Sequence, residues 1–243
     1  MSNSLRLAMW SGPRNISTAM MRAWGNRADT FVCDEPLYAH YLHATGKEHP
    51  GAAEVIAHGE PDWRKVTAWL TGPAPEGKRI FFQKHMTHHM LPDMDRSWLG
   101  QVVNCFLIRQ PRDVLLSYTK IVARPSAADA GFPQQAELFA WVREHQGAIP
   151  PVLDARDVQN QPRRCLGLLC DALAVDFQEC MLSWLPGLRP TDGVWAKHWY
   201  KEVETSTGFR PYNPRSEALP EALKDVHEQC LEHYEKLYAH RLH

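Results

Sequence analysis

The stretch Gln101–Ile108, QVVNCFLI, constrains this chain more than any other, because almost every one of its positions is suited to burial. It is too short for a helix that could stand alone. A run apolar on both faces is the mark of a strand inside a parallel sheet covered on both sides. Shorter runs of the same kind recur at Leu5–Trp10, Thr30–Asp34, Arg79–Gln83 and Val152–Asp154. Between them lie segments of helical period. Ser17–Trp24 is closed by Gly25 and Asn26, and Asp62–Leu70, Gln135–His145 and Pro162–Leu173 follow. A helix opening at Asp113 carries Val114, Leu115, Tyr118, Ile121 and Val122 on one side. The helix Glu221–His240 presents Leu223, Val226, Cys230, Tyr234 and Leu237 at steps of three or four. Strands alternating with amphipathic helices predict an α/β fold of three layers, a central parallel sheet between helices. There is no internal repeat, so residues 1–243 read as one domain. The Pro- and Gly-rich region Lys47–Gly77 reads as an insertion lining the substrate entrance.

Composition narrows the function. Lysine plus arginine number 27 against 28 aspartate plus glutamate, a formal net charge of −1. That balance argues against a nucleic-acid or membrane-surface partner, whose phosphates attract a basic excess. A pocket for a small anion needs only a few local cations. The six cysteines, at 33, 105, 165, 170, 180 and 230, form neither a Cys-x-x-Cys pair nor a zinc pattern. The apolar stretch near the N-terminus is too short for a secretory signal and is broken by Arg6, so the expected location is cytoplasmic, with reduced thiols.

Two motifs carry chemistry. The first strand runs into Ser11-Gly12-Pro13-Arg14-Asn15-Ile16-Ser17-Thr18, between a buried strand and a helix. Backbone N–H groups at a helix start lack intrahelical partners and carry partial positive charge, so a phosphate fits there. Ser17 and Thr18 would add hydroxyl donors, and Arg14 a planar cationic fork. Alone, this turn reads equally well as a capped helix beside a surface arginine. The second motif begins where the strand Gln101–Ile108 ends: Arg109-Gln110-Pro111-Arg112-Asp113, with Ser117 eight residues beyond Arg109 on the following helix. An arginine at the carboxyl end of such a strand stands where open α/β sheets bind ligands.

With both motifs, the chain resembles the sulfotransferase superfamily, whose 3′-phosphate site is an arginine after a strand, a Pro-Arg-Asp turn and a serine eight residues on. The first turn resembles that family's 5′-phosphosulfate loop, P-[KR]-S-G-T-[ST], at Pro13, Arg14, Ser17 and Thr18, and departs from it at Asn15 and Ile16. A β-branched residue where the family has glycine predicts a looser grip, since glycine permits positive φ and close backbone approach. The resemblance implies a P-loop NTPase-like sulfotransferase architecture, with 3′-phosphoadenosine 5′-phosphosulfate as sulfuryl donor and no metal. It implies a donor site built from Arg14, Asn15, Ile16, Ser17, Thr18, Arg109 and Ser117, and a small-molecule acceptor bearing a hydroxyl or amine.

Sulfuryl transfer needs a base for the acceptor. Resemblance points to Glu35, just after the second strand; its plain reading is that Asp34 and Glu35 cap the helix that follows. His85 is the rival, in Gln83-Lys84-His85-Met86-Thr87-His88-His89, where the usual spacer between lysine and histidine is missing. Lys84 would face the bridging oxygen as the bond to sulfur breaks. His85, His88 and His89 lack a carboxylate or cysteine to complete a metal set. The family's late glycine loop would fall at Ser206, Thr207, Gly208 and Arg210. Two other functions stay open at this point: a nucleotide-dependent kinase, for which no GK[ST] lysine is evident, and a binding protein that keeps the fold without turnover.

Overall fold

The structure, a computed structural model, describes residues 4–120, 122 and 124–243. Five strands form one parallel sheet: β1 Leu5–Ser11, β2 Thr30–Asp34, β3 Ile80–Met86, β4 Val103–Ile108 and β5 Val152–Asp154, in the order β2-β3-β1-β4-β5. The helices are α1 Ser17–Gly25, α2 Tyr38–Thr45, α3 Ala52–His58, α4 Trp63–Leu70, α5 Pro111–Tyr118, α6 Phe132–Gln146, α7 Ala155–Asn160, α8 Pro162–Ala172, α9 Ala196–Trp199, α10 Lys201–Glu204 and α11 Lys224–Tyr238.

Side chains alternate across a strand, so each strand of a covered sheet feeds two cores. Leu7 and Met9 of β1, Phe82 of β3 and Cys105 and Leu107 of β4 pack with α1 and α8 residues such as Met20, Trp24, Leu166 and Leu169. Ala8, Trp10, Phe81, Phe106 and Ile108 face the other way, onto Val66 and Leu70 of α4, Leu138 and Val142 of α6, and Tyr234 and Leu237 of α11. This is the three-layer arrangement expected from the alternation of strands and helices.

The connections leave β1 toward β2 on one side, and later cross from β3 to β4 on the other. The crevice at the carboxyl ends of β1, β3 and β4 is therefore the topological switch point, where open α/β sheets bind ligands. Gly12 sits at its base: a Cβ there would lie 2.6 Å from the Ala130 carbonyl oxygen, so only glycine permits this approach.

Several elements differ from the sequence reading. β3 runs on to Met86, three residues beyond the expected end, because Gln83, Lys84 and His85 all find buried partners. The strand expected from Gln101 starts at Val103, after a 3₁₀ turn over Ser97–Gln101. α5 stops at Tyr118; of the two residues expected to prolong it, Ile121 lies outside the described residues. α2 is the helix expected to follow Asp34 and Glu35, whereas α3 has no counterpart in the sequence reading. The region 47–77 divides: His49 reaches the cleft, whereas α4 lies under the sheet, its Leu70 carbonyl accepting a 2.8 Å bond from Gln83.

One buried ion pair fixes the approach of the 189–193 segment to α1. The Arg22 guanidinium donates to both Asp192 oxygens at 2.5 and 2.6 Å, with side chains only 1% and 3% exposed. Removing one partner strands a buried charge, so Arg22→Leu should cost about 3–5 kcal/mol, read from urea midpoints. The double variant Arg22→Leu/Asp192→Leu should recover most of that loss.

Candidate active site

The turn after β1 folds into the switch-point crevice with Arg14 at φ 56°, a left-handed conformation that costs a non-glycine residue on the order of 1–3 kcal/mol. Two bonds hold it there: Arg14 Nε donates to Ser117 Oγ at 2.9 Å, and Arg109 Nη1 donates to the Arg14 carbonyl at 2.8 Å. The two motifs noted in the sequence are therefore one structural unit. The positive φ falls on Arg14, and Ile16 has φ −91°. The β-branched residue is thus tolerated, and its side chain leaves the cleft to pack against the core beside α1. Asn15 shapes the loop from within, accepting from the Ile16 N–H at 2.8 Å and donating to the Leu107 carbonyl at 2.9 Å. No side chain caps α1 and no acidic residue occupies its first turn, so its positive end is open to an anion.

Around this turn lies a cleft of about 980 Å³ up to its open mouth. Its lining includes Arg14, Asn15, Ser17, Thr18, Glu35, Lys84, Arg109 and Ser117, eight of the ten residues singled out from the sequence. Ile16 is absent from it, as is His85.

The position of His85 is set by strand parity. Ile80, Phe82 and Lys84 share the face of β3 that leads toward the cleft, while Phe81, Gln83 and His85 point into the opposite core. There His85 stacks on Trp10, with ring centroids 4.3 Å apart, and sits 3.3 Å from Gln83 Oε1. Burial and the nearby Lys84 charge push its pKa down to about 3. His85 is therefore a neutral core histidine on the far side of the sheet, not a group on the cleft.

Lys84 lies at the cleft floor, 1% exposed, with all three ammonium hydrogens engaged. They reach Asp34 Oδ1 at 2.8 Å, Glu35 Oε1 and the Tyr200 hydroxyl at 2.8 Å. The Tyr200 hydroxyl in turn donates to Asp34, 2.8 and 2.7 Å from its two oxygens, and Trp195 Nε1 donates to it at 3.3 Å. The Gly193 N–H donates to Asp34 Oδ2 at 3.1 Å. Asp34 and Glu35 are thus committed to Lys84 and do not cap α2, whose N-cap is Leu37 with no side-chain bond. Glu35 has φ 41°, the second strained residue of the site.

Electrostatics separates the roles of this cluster. Burial pushes the Glu35 carboxyl above the ordinary glutamate value; Lys84 opposes this and the Asp34 charge adds to it. Burial alone would lower Lys84, but the Asp34 and Glu35 charges raise it well above the usual lysine value. The result is a permanent ammonium beside a carboxylate of raised basicity.

One residue at the anion end escaped the sequence reading. Arg215 lines the cleft with Arg14 and Arg109, on a segment tied down by Arg112, which donates to the Arg215 carbonyl at 3.0 Å and to the Glu217 carbonyl. Burial, together with Arg215 and Arg14 and against Asp113, holds Arg109 below the usual arginine value. Its buried Nε has no hydrogen-bond partner among the described residues. The segment favoured from sequence lies elsewhere: the Ser206 hydroxyl takes the Trp184 indole N–H at 3.0 Å, and Gly208 bridges Ser183. Arg210 is exposed and bonds Thr205 Oγ1.

The remaining wall is a group of flat rings. His89 stacks on Tyr38 and on Tyr41 with centroids 4.7 Å apart in both cases, and the Tyr38 hydroxyl pairs with His49 Nδ1 at 2.8 Å. His88, Tyr118 and Trp199 complete it. Burial holds His88 near 3 and His89 well below the ordinary value, so both are neutral. Periodicity could not reveal this wall, because α2, the 86–89 turn and α9 are distant in sequence.

The chain is similar to known proteins along nearly its whole length. The family model described as "Sulfotransferase domain" matches residues 5–240. Two Arabidopsis thaliana proteins, named branched-chain-amino-acid aminotransferase-like proteins 1 and 2, are 35% and 34% identical over 234 and 235 residues. The matches cover 96% of this chain but only 42% and 41% of those proteins, so the chain spans about two fifths of their length. Among solved structures, the sulfotransferase domain from the Synechococcus PCC 7002 olefin synthase aligns with 100% of this chain and 98% of its own, at TM-score 0.54 and 19% identity. A sulfotransferase from Alicyclobacillus acidocaldarius aligns over 98% and 97%, at TM-score 0.53 and 10% identity. These two likenesses bear on the fold. With nearly the whole chain matched by the family model, this protein belongs to the sulfotransferase domain family.

Proposed function

We propose that this chain transfers a sulfuryl group from 3′-phosphoadenosine 5′-phosphosulfate to a hydroxyl or amine of a small acceptor. The observation that carries the reading is one cleft in which Arg14, Arg109, Arg215, Ser117 and the open start of α1 face Lys84 and Glu35. Arg109 and Ser117 hold the 3′-phosphate, and the unpartnered Arg109 Nε fits a site made for an anion. Arg215 adds a third guanidinium at that end. Arg14, Ser17 and Thr18, with the backbone of Asn15 and Ile16, hold the 5′-phosphosulfate.

Glu35 takes the acceptor's proton as the acceptor atom bonds to sulfur. The bond from sulfur to the bridging oxygen breaks, its electrons remain on the 5′-phosphate, and Lys84 stabilises that charge. The placement of His85 in the opposite core supports Glu35 as the base. The ring wall of Tyr38, His49, His88, His89 and Trp199 bounds the acceptor's side of the cleft. We read residues 1–243 as one domain, because helices from both ends of the chain, α1 and α8 on one face and α4, α6 and α11 on the other, share the two cores of a single sheet. The cytoplasmic reading rests on six unbridged cysteines; no helix among the described residues is long and apolar enough to cross a membrane.

Calorimetric titration with adenosine 3′,5′-bisphosphate tests the donor site. Wild-type protein should bind it, and Arg109→Ala, losing a charge-assisted contact worth about 1.5–3 kcal/mol, should bind roughly 10- to 150-fold more weakly. No binding by the wild type would sink the donor assignment.

Acceptor-dependent release of the bisphosphate tests the chemistry and distinguishes a catalyst from a binder. Glu35→Gln should lose about 10²–10⁴ in turnover while still binding the bisphosphate. Because the base must be ionised and its carboxyl is raised, kcat/KM should fall with decreasing pH through a midpoint above the ordinary glutamate range. A Glu35→Gln enzyme that kept its rate and its acid limb would remove Glu35 from the reaction.

A further inference from the structure

Lys84 has no hydrogen to spare. An ammonium offers three donors, and here they go to Asp34, Glu35 and Tyr200. If Lys84 is to donate to the oxygen that leaves sulfur, one bond must be released at the right moment. The three acceptors are not equivalent. Asp34 is locked by the Tyr200 hydroxyl and the Gly193 N–H, and the Tyr200 hydroxyl, at the cleft wall, already spends its one hydrogen on Asp34 and accepts from Trp195. Glu35 lines the cleft and has no other side-chain hydrogen-bond partner among the described residues.

Resting on the sulfuryl-transfer reading above, we propose that Asp34, clamped by Tyr200, is a positioning residue that retains Lys84 once Glu35 has accepted the acceptor's proton. The Lys84 hydrogen formerly held by Glu35 then passes to the leaving oxygen. The balance is complete. The proton moves from the acceptor to a Glu35 carboxylate oxygen, the acceptor–sulfur bond forms, and the bond from sulfur to the bridging oxygen breaks with its electron pair left on the 5′-phosphate. Protonation removes the charge with which Glu35 held the ammonium, while Asp34 keeps its own. Proton uptake and leaving-group stabilisation are thereby coupled through one lysine.

The surroundings leave the coupling to these charges. Cys33 on β2, His85 on β3, Tyr38 on α2 and His89 above the cleft are all shifted toward their neutral forms, burial being the first cause in each. Tyr200 is likewise pushed up by burial and by Asp34, so it stays a phenol that donates to Asp34 and accepts from Lys84. A single carboxylate would serve less well: after taking the proton it would leave Lys84 a buried ammonium without a counter-ion.

The test observes the lysine directly, by NMR of protein carrying ¹⁵N-labelled lysine, with the Lys84 ammonium signal assigned from Lys84→Arg. In Glu35→Gln, whose neutral amide stands for the protonated glutamate, the signal should persist, held by Asp34 and Tyr200. Adenosine 3′,5′-bisphosphate should shift it several-fold more than in wild-type protein, where the hydrogen is still committed to Glu35. In Asp34→Asn/Glu35→Gln the signal should disappear into solvent exchange. If that variant does not fold, Tyr200→Phe/Glu35→Gln should show the same loss. Disappearance in Glu35→Gln alone would overturn the role of Asp34. So would equal bisphosphate shifts in wild type and Glu35→Gln while calorimetry reports binding to both. Failure of the wild type to bind the bisphosphate would instead strike the donor reading on which this role rests.

Discussion

Burying an ammonium ion costs several kcal/mol unless hydrogen bonds and opposite charge replace the water it loses. Lys84 meets that requirement with acceptors from two places far apart in the chain, Asp34 and Glu35 at the carboxyl end of β2 and Tyr200 just after α9. One buried cation thus draws the carboxyl ends of β2 and β3 and the 193–200 segment to a common point. The Arg22–Asp192 pair repeats the device one turn away, tying the start of that segment to α1. These contacts define the cleft floor more firmly than hydrophobic packing could, because an apolar contact tolerates sliding and a buried ion pair does not.

Two of the four non-glycine residues with positive φ among the described residues, Arg14 and Glu35, lie in turns that leave strands beside the cleft. Such conformations persist only where neighbours over-determine them. For Arg14 the neighbours are Ser117 and Arg109; for Glu35 they are Lys84, through both its side chain and its carbonyl, which accepts the Glu35 N–H at 2.9 Å. The arginine end and the Glu35 end of the cleft are therefore held in place by neighbours within the chain, which would lower the cost of ordering them on binding.

Between these ends the cleft changes character. Guanidinium groups and a helix terminus occupy one side, and neutral rings the other. The histidines of the ring wall are neutral because burial disfavours their charged forms, so they add shape and hydrogen-bonding capacity without repelling the arginines. The three arginines gather on the side where the proposed anionic donor would lie, and the rings on the other side carry no charge.

Much of this was written in local sequence. The apolar run ending at Ile108 determined a buried parallel strand. Arg109 and Ser117, eight residues apart across a strand–helix turn, determined a pair converging on the crevice. The turn from Ser11 to Thr18 determined a helix start at the end of a buried strand, and the fold left that start without a side-chain cap. Each depends on spacing within one element or one turn, which the chain fixes through its own periodicity. Tertiary structure decided the rest. Whether Lys84 or His85 faces the cleft depended on β3 continuing to Met86, and a strand's end is set by the partners its last residues find. Arg215, Tyr200 and the ring wall come from segments with no motif of their own. What Asp34 does, whether capping a helix or holding a buried lysine, was settled by which charge the fold carried into the interior beside it.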